Sequence, residues 1–282
     1  MQKINLVTVV GHNITMLPHM LEHYKNIVDE IYVVVYRQHE NDGILDEIKS
    51  LGITPHKVVT EEKFNWERVT QLYNEVKRTK PQEWWVVSDD DEFHIYPKPI
   101  REMISDCEEN GWEFITGGFL DRIGENGEFP LVTNETDIWS KFPLAGYFRY
   151  PMSGACPNKV CIMKGSVDVT PGQHYAIIDE SHVWGIEGFK HPLRYPIGRG
   201  EGFVQVHHFK WDSTVLERLK EVSNTEEKYS FWEEYRKMYK AIQINDWEID
   251  INNPEFMFER MQTNFHFDYS KWNRLTRKII SI

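Results

Sequence analysis

Four acidic residues stand in a row directly after the most apolar, β-prone run of the sequence. The run Trp84-Trp85-Val86-Val87-Ser88 is typical of a buried strand, and Asp89-Asp90-Asp91-Glu92 follows it without a break. Adjacent carboxylates repel one another and are costly to take out of water, so they do not help a strand to fold. A hard divalent cation, which prefers oxygen ligands, offsets that cost. The pattern therefore predicts a metal site, with a solvated acidic turn as the alternative.

The spacing within the acidic run divides its side chains between two sides. If strand geometry continues past Ser88, Asp89 and Asp91 point to one side and Asp90 to the other. Mg²⁺ keeps several water ligands and takes only one or two carboxylates together with phosphate oxygens. We therefore expect Asp89 and Asp91 to converge on such an ion.

The elements that must position this run are predicted from short Val-rich stretches that alternate with helical patterns. The strands are expected at 4–10, 31–36, 53–59 and 84–88, and the helices between them end near residues 26, 51 and 80. This order predicts an α/β fold with a doubly wound, mostly parallel sheet flanked by helices. Ligands of such sheets bind at the carboxyl ends of the strands, where the acidic run lies.

The second half of the sequence has a different character. A helix is expected at about 99–109, followed by Gly-, Pro- and aromatic-rich sequence with short strands near 113–119 and 159–163. Strong helix formers return at 214–242, and 253–282 is also predicted to be helical. No clear linker interrupts the chain. We therefore expect a catalytic domain over 1–212 and a helical C-terminal extension over 213–282 that packs on it.

Composition narrows the class of protein. A net charge of −12, from 32 Lys and Arg against 44 Asp and Glu, argues against a broad nucleic-acid surface. The cysteine count of 3, without zinc-type spacing, favours reduced thiols in a cytoplasmic protein. No apolar run reaches the ~20 residues needed to span a bilayer, and the first predicted strand begins too early for a signal peptide.

Several motifs, in the same order along the chain, resemble the GT-A nucleotide-sugar glycosyltransferases, and among them the family 2-like branch. The resemblance covers most of residues 4–212. Its most specific part is Trp85-x-x-Ser88-Asp89-Asp90-Asp91-Glu92-Phe93. The other matching pieces are the stretch from Val9 to Tyr24, Asp29 to Val33, Asp121-Arg122 with Gly127, Lys159, Gly172-x-His174, and His207 to Trp211.

The resemblance implies a GT-A fold that transfers a sugar from a nucleoside diphosphate sugar to an acceptor hydroxyl, with inversion and with Mn²⁺ or Mg²⁺. Asp91 would then bind the metal directly, and Asp89 would contact the ribose or a metal-bound water. The residues implied around the nucleotide and its phosphates are Val10, His12, Arg37, Arg68, Asp89, Asp90 and Lys210. The chain departs from the family where many relatives have Arg-Asn-Glu, because it has Gly11-His12-Asn13 there.

A late histidine pair supplies candidates for the rest of the metal shell. GT-A enzymes often add a distant histidine, and His207 and His208 are the natural choices. On a strand the two point to opposite faces, so only one is expected to bind metal, and His207 is preferred. His174 is a weaker candidate. The alternative is that these histidines are structural.

Inverting transfer also needs a carboxylate that takes the proton from the attacking hydroxyl. Asp121, at the end of the first strand of the second half, is the predicted base by position and resemblance. Asp179, Glu180 and Glu187 remain possible. An ion pair between Asp121 and the neighbouring Arg122 is the structural alternative.

Two other functions remain open on the same scaffold. One is a sugar nucleotidyltransferase, although Gly11 to Thr15 is not the Gly-rich basic loop expected of that class. The other is a non-catalytic carbohydrate-binding protein. For a glycosyltransferase the expected acceptor is a glycan or a lipid-linked sugar. The basic stretch from Lys271 to Ile280 would then suit weak contact with an anionic membrane, unless it packs on the domain.

Overall fold

The computed structural model describes residues 2–146, 158–178, 181–183, 204–225, 231–253 and 259–260. In chain order, its elements up to the middle of the chain are β1 (Ile4–Val10), α1 (Leu17–Tyr24), β2 (Glu30–Arg37), α2 (Ile44–Ser50), β3 (Lys57–Thr60), α3 (Trp66–Arg78), β4 (Trp84–Val87), β5 (Glu92–Ile95), α4 (Ile100–Asn110) and β6 (Phe114–Ile123). These are followed by α5 (Ile138–Lys141), β7 (Leu144–Gly146), β8 (Asn158–Lys164), β9 (Asp168–Val169), β10 (Ala176–Ile178), β11 (Ser181–Val183), β12 (Val204–His208), α6 (Val215–Ser223), α7 (Trp232–Ile244) and β13 (Glu259–Arg260).

The chain divides into two compact units, each assembled from separate stretches of sequence. The first unit comprises Met1–Gly118 and Asn158–Val206, and the second comprises Phe119–Pro157 and His207–Ile282. The strands β6 and β12 each begin in the first unit and end in the second. The boundary after residue 212 that the sequence predicts lies within the second unit. As a division between catalytic domain and extension it stays a prediction.

The sheet of the first unit has the order β3-β2-β1-β4-β8-β6. The pairs among β1, β2, β3 and β4 are parallel, whereas β8 pairs antiparallel with both β4 and β6. The α/β class is confirmed, and the sheet is mixed: parallel through its first four strands and antiparallel beyond β4. A mixed sheet of this kind still aligns the carboxyl ends of the parallel strands at one edge.

Burial explains why these residues form this sheet. Residues Leu6 and Val7 of β1 and Trp85 of β4 have no exposed surface, as expected of strands covered on both faces. On α3 the residues Leu72, Tyr73 and Val76 are buried, and the spacing of three and four places them on one helix face against the sheet. Asn65 caps α3 by accepting hydrogen bonds from two backbone N–H groups of its first turn.

The predicted third strand begins too early, because the residues ahead of it end α2. Gly52 has a φ of 75°, and the N–H of Ile53 bonds to the carbonyl of Ile48. This is the hydrogen bond that closes a helix through a left-handed glycine. The strand β3 therefore begins only at Lys57.

The long helix predicted at 214–242 is wrong, because α6 ends at Ser223. The side chain of Asn224 donates to the carbonyl of Lys220, and the hydroxyl of Thr225 bonds to the carbonyls of Glu221 and Val222. Polar side chains that satisfy the last carbonyls of a helix in this way favour its end over its continuation. A separate helix, α7, follows from Trp232.

The helix predicted at 253–282 is also wrong where the structure describes this region. Glu259 and Arg260 form the short strand β13, which pairs antiparallel with β7. From 261 onward the predicted helix, with its basic stretch, lies outside the described residues. Within the part of the chain that is described, no helix has both the length and the apolar character needed to cross a membrane.

The second unit has a core of its own. It consists of buried side chains from β6, β7, α6 and α7, together with one residue between β12 and α6 and one after α7, namely Ile123, Leu144, Val215, Leu219, Met238, Ile242, Trp211 and Ile249. Gly127, with a φ of 90°, lets the segment around Ile249 approach closely, because a Cβ there would stand 2.0 Å from the Ile249 carbonyl oxygen. The N–H of Ile249 bonds to the Gly127 carbonyl at 2.9 Å. Only glycine fits this position.

Candidate functional site

The acidic run forms a tight turn at the carboxyl end of β4. The N–H of Glu92 bonds to the carbonyl of Asp89 at 3.0 Å, and the hydroxyl of Ser88 bonds to the carbonyl of Glu92 at 2.7 Å. Within this turn Asp90 and Asp91 are partly exposed, whereas Glu92 is buried as the first residue of β5. The structure therefore presents carboxylates at the sheet edge where ligands of α/β proteins bind.

The neighbouring strand ends are packed closely at the same edge. A Cβ on Gly11, which directly follows β1, would stand 1.5 Å from the backbone oxygen of Tyr36 in β2. No side chain larger than hydrogen fits there. The loop after β1 is thereby held against the end of β2, at the edge of the sheet where ligands of parallel strands bind.

The side chain of Asp89 is fixed by two donors. The hydroxyl of Tyr73 on α3 donates to Oδ1 of Asp89 at 2.6 Å, and Nε2 of Gln173 donates to the same oxygen at 3.3 Å. The Tyr73 hydroxyl also accepts a hydrogen bond from the N–H of Val9 at 3.2 Å. Burial, reinforced by the Asp89 charge, raises the pKa of Tyr73 well above its usual value, so this hydroxyl keeps its proton and remains a donor.

A buried lysine lies behind the acidic turn. Nζ of Lys159 on β8 is 2.5 Å from Oε1 of Glu92 and 3.9 Å from Oδ2 of Asp89. Burial alone would lower the pKa of Lys159, but the carboxylates of Glu92 and Asp89 outweigh it and raise the pKa above its usual value. The ammonium group therefore stays charged and supplies the acidic turn with an internal counter-charge.

Gln173 joins the two halves of this network and was not predicted. Its amide oxygen accepts from Nζ of Lys159 at 2.9 Å while its amide nitrogen donates to Asp89. It has a φ of 53°, directly after Gly172 with a φ of 72°. A buried non-glycine residue in this region is costly unless the surroundings demand it. The only signal in the sequence was the Gly172-x-His174 motif that brackets it.

The chemistry of the donors fits a hard divalent cation, since Asp89, Asp90 and Asp91 offer partly exposed carboxylate oxygens. In the residues that the structure describes, no three His, Cys, Asp or Glu side chains converge to hold a metal ion. Oδ1 of Asp89 already accepts two hydrogen bonds within the protein. The metal assignments of Asp89, Asp91 and His207 stay predictions.

The residues predicted around the nucleotide have varied environments in the first unit. Val10 is buried at the end of β1, while His12 beyond it is exposed. Arg37 donates to the Glu40 carbonyl at 2.6 Å and to the Thr60 hydroxyl at 3.2 Å. The bond to Glu40 holds the loop after β2, and the bond to Thr60 joins β2 to β3.

Arg68 is engaged in ion pairs on α3. Its guanidinium lies 3.0 Å from Glu61 and 2.7 Å from Glu75. Ion pairs that are partly exposed contribute little to stability. A phosphate could therefore replace one of the two carboxylates as the partner of Arg68 with only a small loss of stability.

Asp121, the predicted base, lies in the second unit and is 6% exposed. Its Oδ1 accepts hydrogen bonds from Nδ1 of His208 and from Nε1 of Trp211, both at 2.8 Å. The ion pair with the neighbouring Arg122, the structural alternative, is not formed. The competing base Glu187 and the pair Asp179 and Glu180 lie outside the described residues.

The two late histidines have different neighbours, as strand alternation predicts. The ring of His207 contacts Trp139, with the ring centroids 5.2 Å apart, whereas His208 contacts Phe119 at 4.7 Å and bonds to Asp121. His207 belongs to the second unit and Asp91 to the first.

Lys210 and Arg218 bring two positive charges to the Tyr235 side chain in the second unit. Nζ of Lys210 lies 4.5 Å from the ring centroid of Tyr235. Burial would raise the pKa of Tyr235, but the positive charges of Lys210 and Arg218 outweigh it and lower that pKa to about 8. A positive potential of this kind suits the predicted contact of Lys210 with phosphate, which stays a prediction.

Comparisons with known proteins leave the family open. No protein-family profile and no curated protein matches the chain. Among solved structures, residues 1–349 of TarS from S. aureus match at 12% identity and a TM-score of 0.33, covering 99% of this chain and 80% of that one. A 4-diphosphocytidyl-2C-methyl-D-erythritol synthase matches at 11% identity and a TM-score of 0.29, covering 59% and 76%.

Mannose-6-phosphate isomerase from Helicobacter pylori matches at 14% identity and a TM-score of 0.28, over 45% of this chain. The chain spans about half the length of that isomerase (54%) and 43% of a longer TarS structure. All these TM-scores are below 0.5, so the likenesses carry no argument about function. The α/β class rests on the sheet of this chain itself.

Proposed function

We propose that the chain is a metal-dependent glycosyltransferase that moves a sugar from a nucleoside diphosphate sugar to an acceptor hydroxyl with inversion. The observation that carries the proposal is the acidic turn after β4, where Asp90 and Asp91 stand partly exposed beside an Asp89 held by Tyr73 and Gln173. Adjacent carboxylates at this edge of the sheet repel one another and lower the stability of the fold. A cation bound there together with a diphosphate would offset that repulsion, which is why a binding role explains their presence.

Asp91 would hold Mn²⁺ or Mg²⁺ directly, with Asp89 beside it contacting the ribose or a bound water. When bound, the cation would neutralise the charge that develops on the leaving diphosphate. Tyr73 and Gln173 fix the orientation of Asp89 before any ligand arrives. Lys159 compensates part of the charge of the turn through its contacts with Glu92 and Asp89.

Around the donor, Val10, His12 and Arg37 would contact the nucleoside, and Arg68 and Lys210 its phosphates. Asp121 would take the proton of the acceptor hydroxyl. Both hydrogen bonds that Asp121 accepts go to Oδ1, so Oδ2 is the oxygen that would receive this proton. The acceptor would be a glycan or a lipid-linked sugar.

The decisive experiment is a thermal-shift screen of nucleoside diphosphates and nucleotide sugars with and without Mn²⁺. A ligand at a hundredfold excess over its Kd adds about 2.7 kcal/mol to the stability of the protein that binds it. We expect one nucleotide to stabilise the protein in the presence of Mn²⁺ only. Asp91→Asn should abolish that increment, whereas Asp46→Asn, an exposed acid on α2, should leave it unchanged.

An unchanged Mn²⁺-dependent increment in Asp91→Asn would contradict the metal assignment. Release of pyrophosphate from a nucleoside triphosphate and a sugar 1-phosphate would instead place the chain among the sugar nucleotidyltransferases.

A further inference from the structure

Arg122 on β6 is a buried cation without a hydrogen-bond acceptor. The residue is 0% exposed, and among the described residues none is hydrogen-bonded to any of its three guanidinium nitrogens. A charge removed from water is strongly destabilising unless it is paired. A buried polar group left without a partner therefore calls for an explanation such as an absent ligand.

The surroundings of Arg122 stabilise the cation only in part. Its Cζ lies 5.5 Å from the ring centroid of Trp139 and 5.8 Å from that of Phe209, and these two rings meet edge-on at 5.1 Å. Aromatic faces attract a guanidinium but accept no hydrogen bond in its plane. The N–H groups along the edge of the guanidinium therefore require a hydrogen-bond acceptor, and the described residues do not supply one.

The carboxylate that adjoins Arg122 in sequence is committed elsewhere. Asp121 bonds to His208 and Trp211, because successive strand residues point to opposite faces. Burial lowers the pKa of Arg122 to about 9, as expected for a desolvated cation without an anion beside it. The group still carries a single positive charge at neutral pH.

We propose that Arg122 binds the carboxylate of a small-molecule ligand in the second unit, through two parallel hydrogen bonds from its guanidinium. A planar carboxylate matches the donor fork of arginine and carries the one negative charge needed to neutralise it. A phosphate dianion would leave excess negative charge in an aromatic environment. The apolar rings of Trp139 and Phe209 flank the guanidinium, and an acidic sugar, which joins one carboxylate to a ring, is the ligand class of the proposal.

The nitrogens of Arg122 are shielded from water, so the ligand must displace the side chains that cover them. The site then opens when the ligand binds, as in proteins where the ligand makes a minor, open conformation the main one. The proposal stands apart from glycosyl transfer, because it requires neither a metal nor a nucleotide.

The test is a thermal-shift titration of the full chain with glucuronate, glucose and glucose 6-phosphate, at constant ionic strength and without divalent metal. Glucuronate carries a carboxylate, glucose no charge and glucose 6-phosphate a dianion. We expect glucuronate at tenfold its Kd to raise the melting temperature by about 3 °C. Glucose and glucose 6-phosphate should produce no comparable rise.

Two substitutions connect the effect to Arg122. Arg122→Met removes the charge while keeping a long apolar side chain, and should abolish the response to glucuronate. Arg122→Lys keeps the charge but not the fork, and should weaken the apparent affinity by tenfold or more. The control is Arg236→Met, which removes a guanidinium stacked on Trp232 at 4.4 Å in the same unit and should respond as the wild type does.

An equal response of Arg122→Lys and the wild type, or no response of the wild type to glucuronate, overturns the proposal. So does stabilisation by glucose 6-phosphate alone. The titrations of the wild-type protein with the three compounds test the proposal even if Arg122→Met does not fold.

Discussion

Nδ1 of His208 donates a hydrogen bond to Oδ1 of Asp121 across 2.8 Å, and this contact fixes the tautomer of the imidazole. An ionised carboxylate can only accept, so Nδ1 carries the proton and Nε2 of a neutral ring carries the lone pair. Histidines that bind metal through one nitrogen commonly donate from the other to a carboxylate in this way. The sequence favoured His207 as the metal ligand, and the pairing with Asp121 turns attention to His208.

We therefore expect His208→Ala to weaken Mn²⁺-assisted binding of a nucleoside diphosphate more than His207→Ala does. The loss of a ligand or of its supporting contact typically costs 10- to 100-fold in metal affinity. Isothermal titration of each variant with Mn²⁺ at saturating nucleotide measures this difference. A larger loss in His207→Ala would restore the preference drawn from the sequence, and small equal losses would make both histidines structural.

The ion pair of Lys159 with Glu92 predicts an asymmetric mutational response. Lys159→Met leaves a buried carboxylate without its counter-charge and should lower the free energy of unfolding by roughly 3–5 kcal/mol. Lys159→Met combined with Glu92→Met removes both charges and should recover much of the loss. Urea denaturation measures both.

The control for this pair is Lys164→Met on the same strand, where Nζ lies 3.1 Å from Glu108 in a partly exposed pair. That substitution should cost less than about 1 kcal/mol. If the double variant is as unstable as Lys159→Met alone, the two charges do not compensate each other.

Lys77 predicts a pH dependence of stability. Its Nζ is buried on α3, where it bonds to the carbonyl of Val167, and burial lowers its pKa to about 7. Between that pH and the unfolded pKa of about 10.4, the unfolded chain binds a proton that the folded chain does not. The contribution of this group to stability therefore rises with pH across that window and is least favourable below it.

Lys77→Met should accordingly stabilise the protein most at and below neutral pH, by no more than about 5 kcal/mol, with the advantage shrinking towards pH 10. Thermal or urea unfolding of both proteins from pH 6 to 10 gives the difference. Lys49→Met, an exposed lysine on α2, should run parallel to the wild type. Parallel curves for Lys77→Met would show that Lys77 is charged in the folded state throughout this range.

The assignment of Asp121 as the base predicts a kinetic signature. At saturating donor and Mn²⁺, Asp121→Asn should lower turnover by roughly 10²- to 10⁴-fold, the usual effect of a positioned base. Steady-state transfer with the donor found by the nucleotide screen measures this. Near-normal turnover in Asp121→Asn, with collapse in Asp179→Asn or Glu187→Gln, would move the base.

The parallel half of the sheet could be predicted because its signals are local. Short Val-rich runs defined β1, β2 and β4, and the spacing of Leu72, Tyr73 and Val76 defined the buried face of α3. The break after α6 was missed, since helix formers on both sides concealed the polar side chains that cap its end.

The acidic turn could be found from the sequence, but its supports could not. Gln173 supports the turn only because the fold brings Lys159 and Asp89 within hydrogen-bond distance of its amide. A single glutamine forms no sequence motif, so this role could not be predicted. The dipeptide Asp121-Arg122 resembles an ion pair in the sequence. In β6 the alternation of side chains separates the two charges, which no composition or periodicity reveals.

The interleaving of the two units along the chain has a consequence for biosynthesis. The sheet of the first unit includes β8, whose partner β4 is synthesised some eighty residues earlier. Residues 119–157 of the second unit lie between them in the sequence. The sheet therefore cannot be completed until these residues have left the ribosome. Pairing over such separations is slow and leaves strand edges open in the meantime. During synthesis the acidic residues 89–92 therefore leave the ribosome well before Lys159, the lysine that compensates part of their charge in the folded protein.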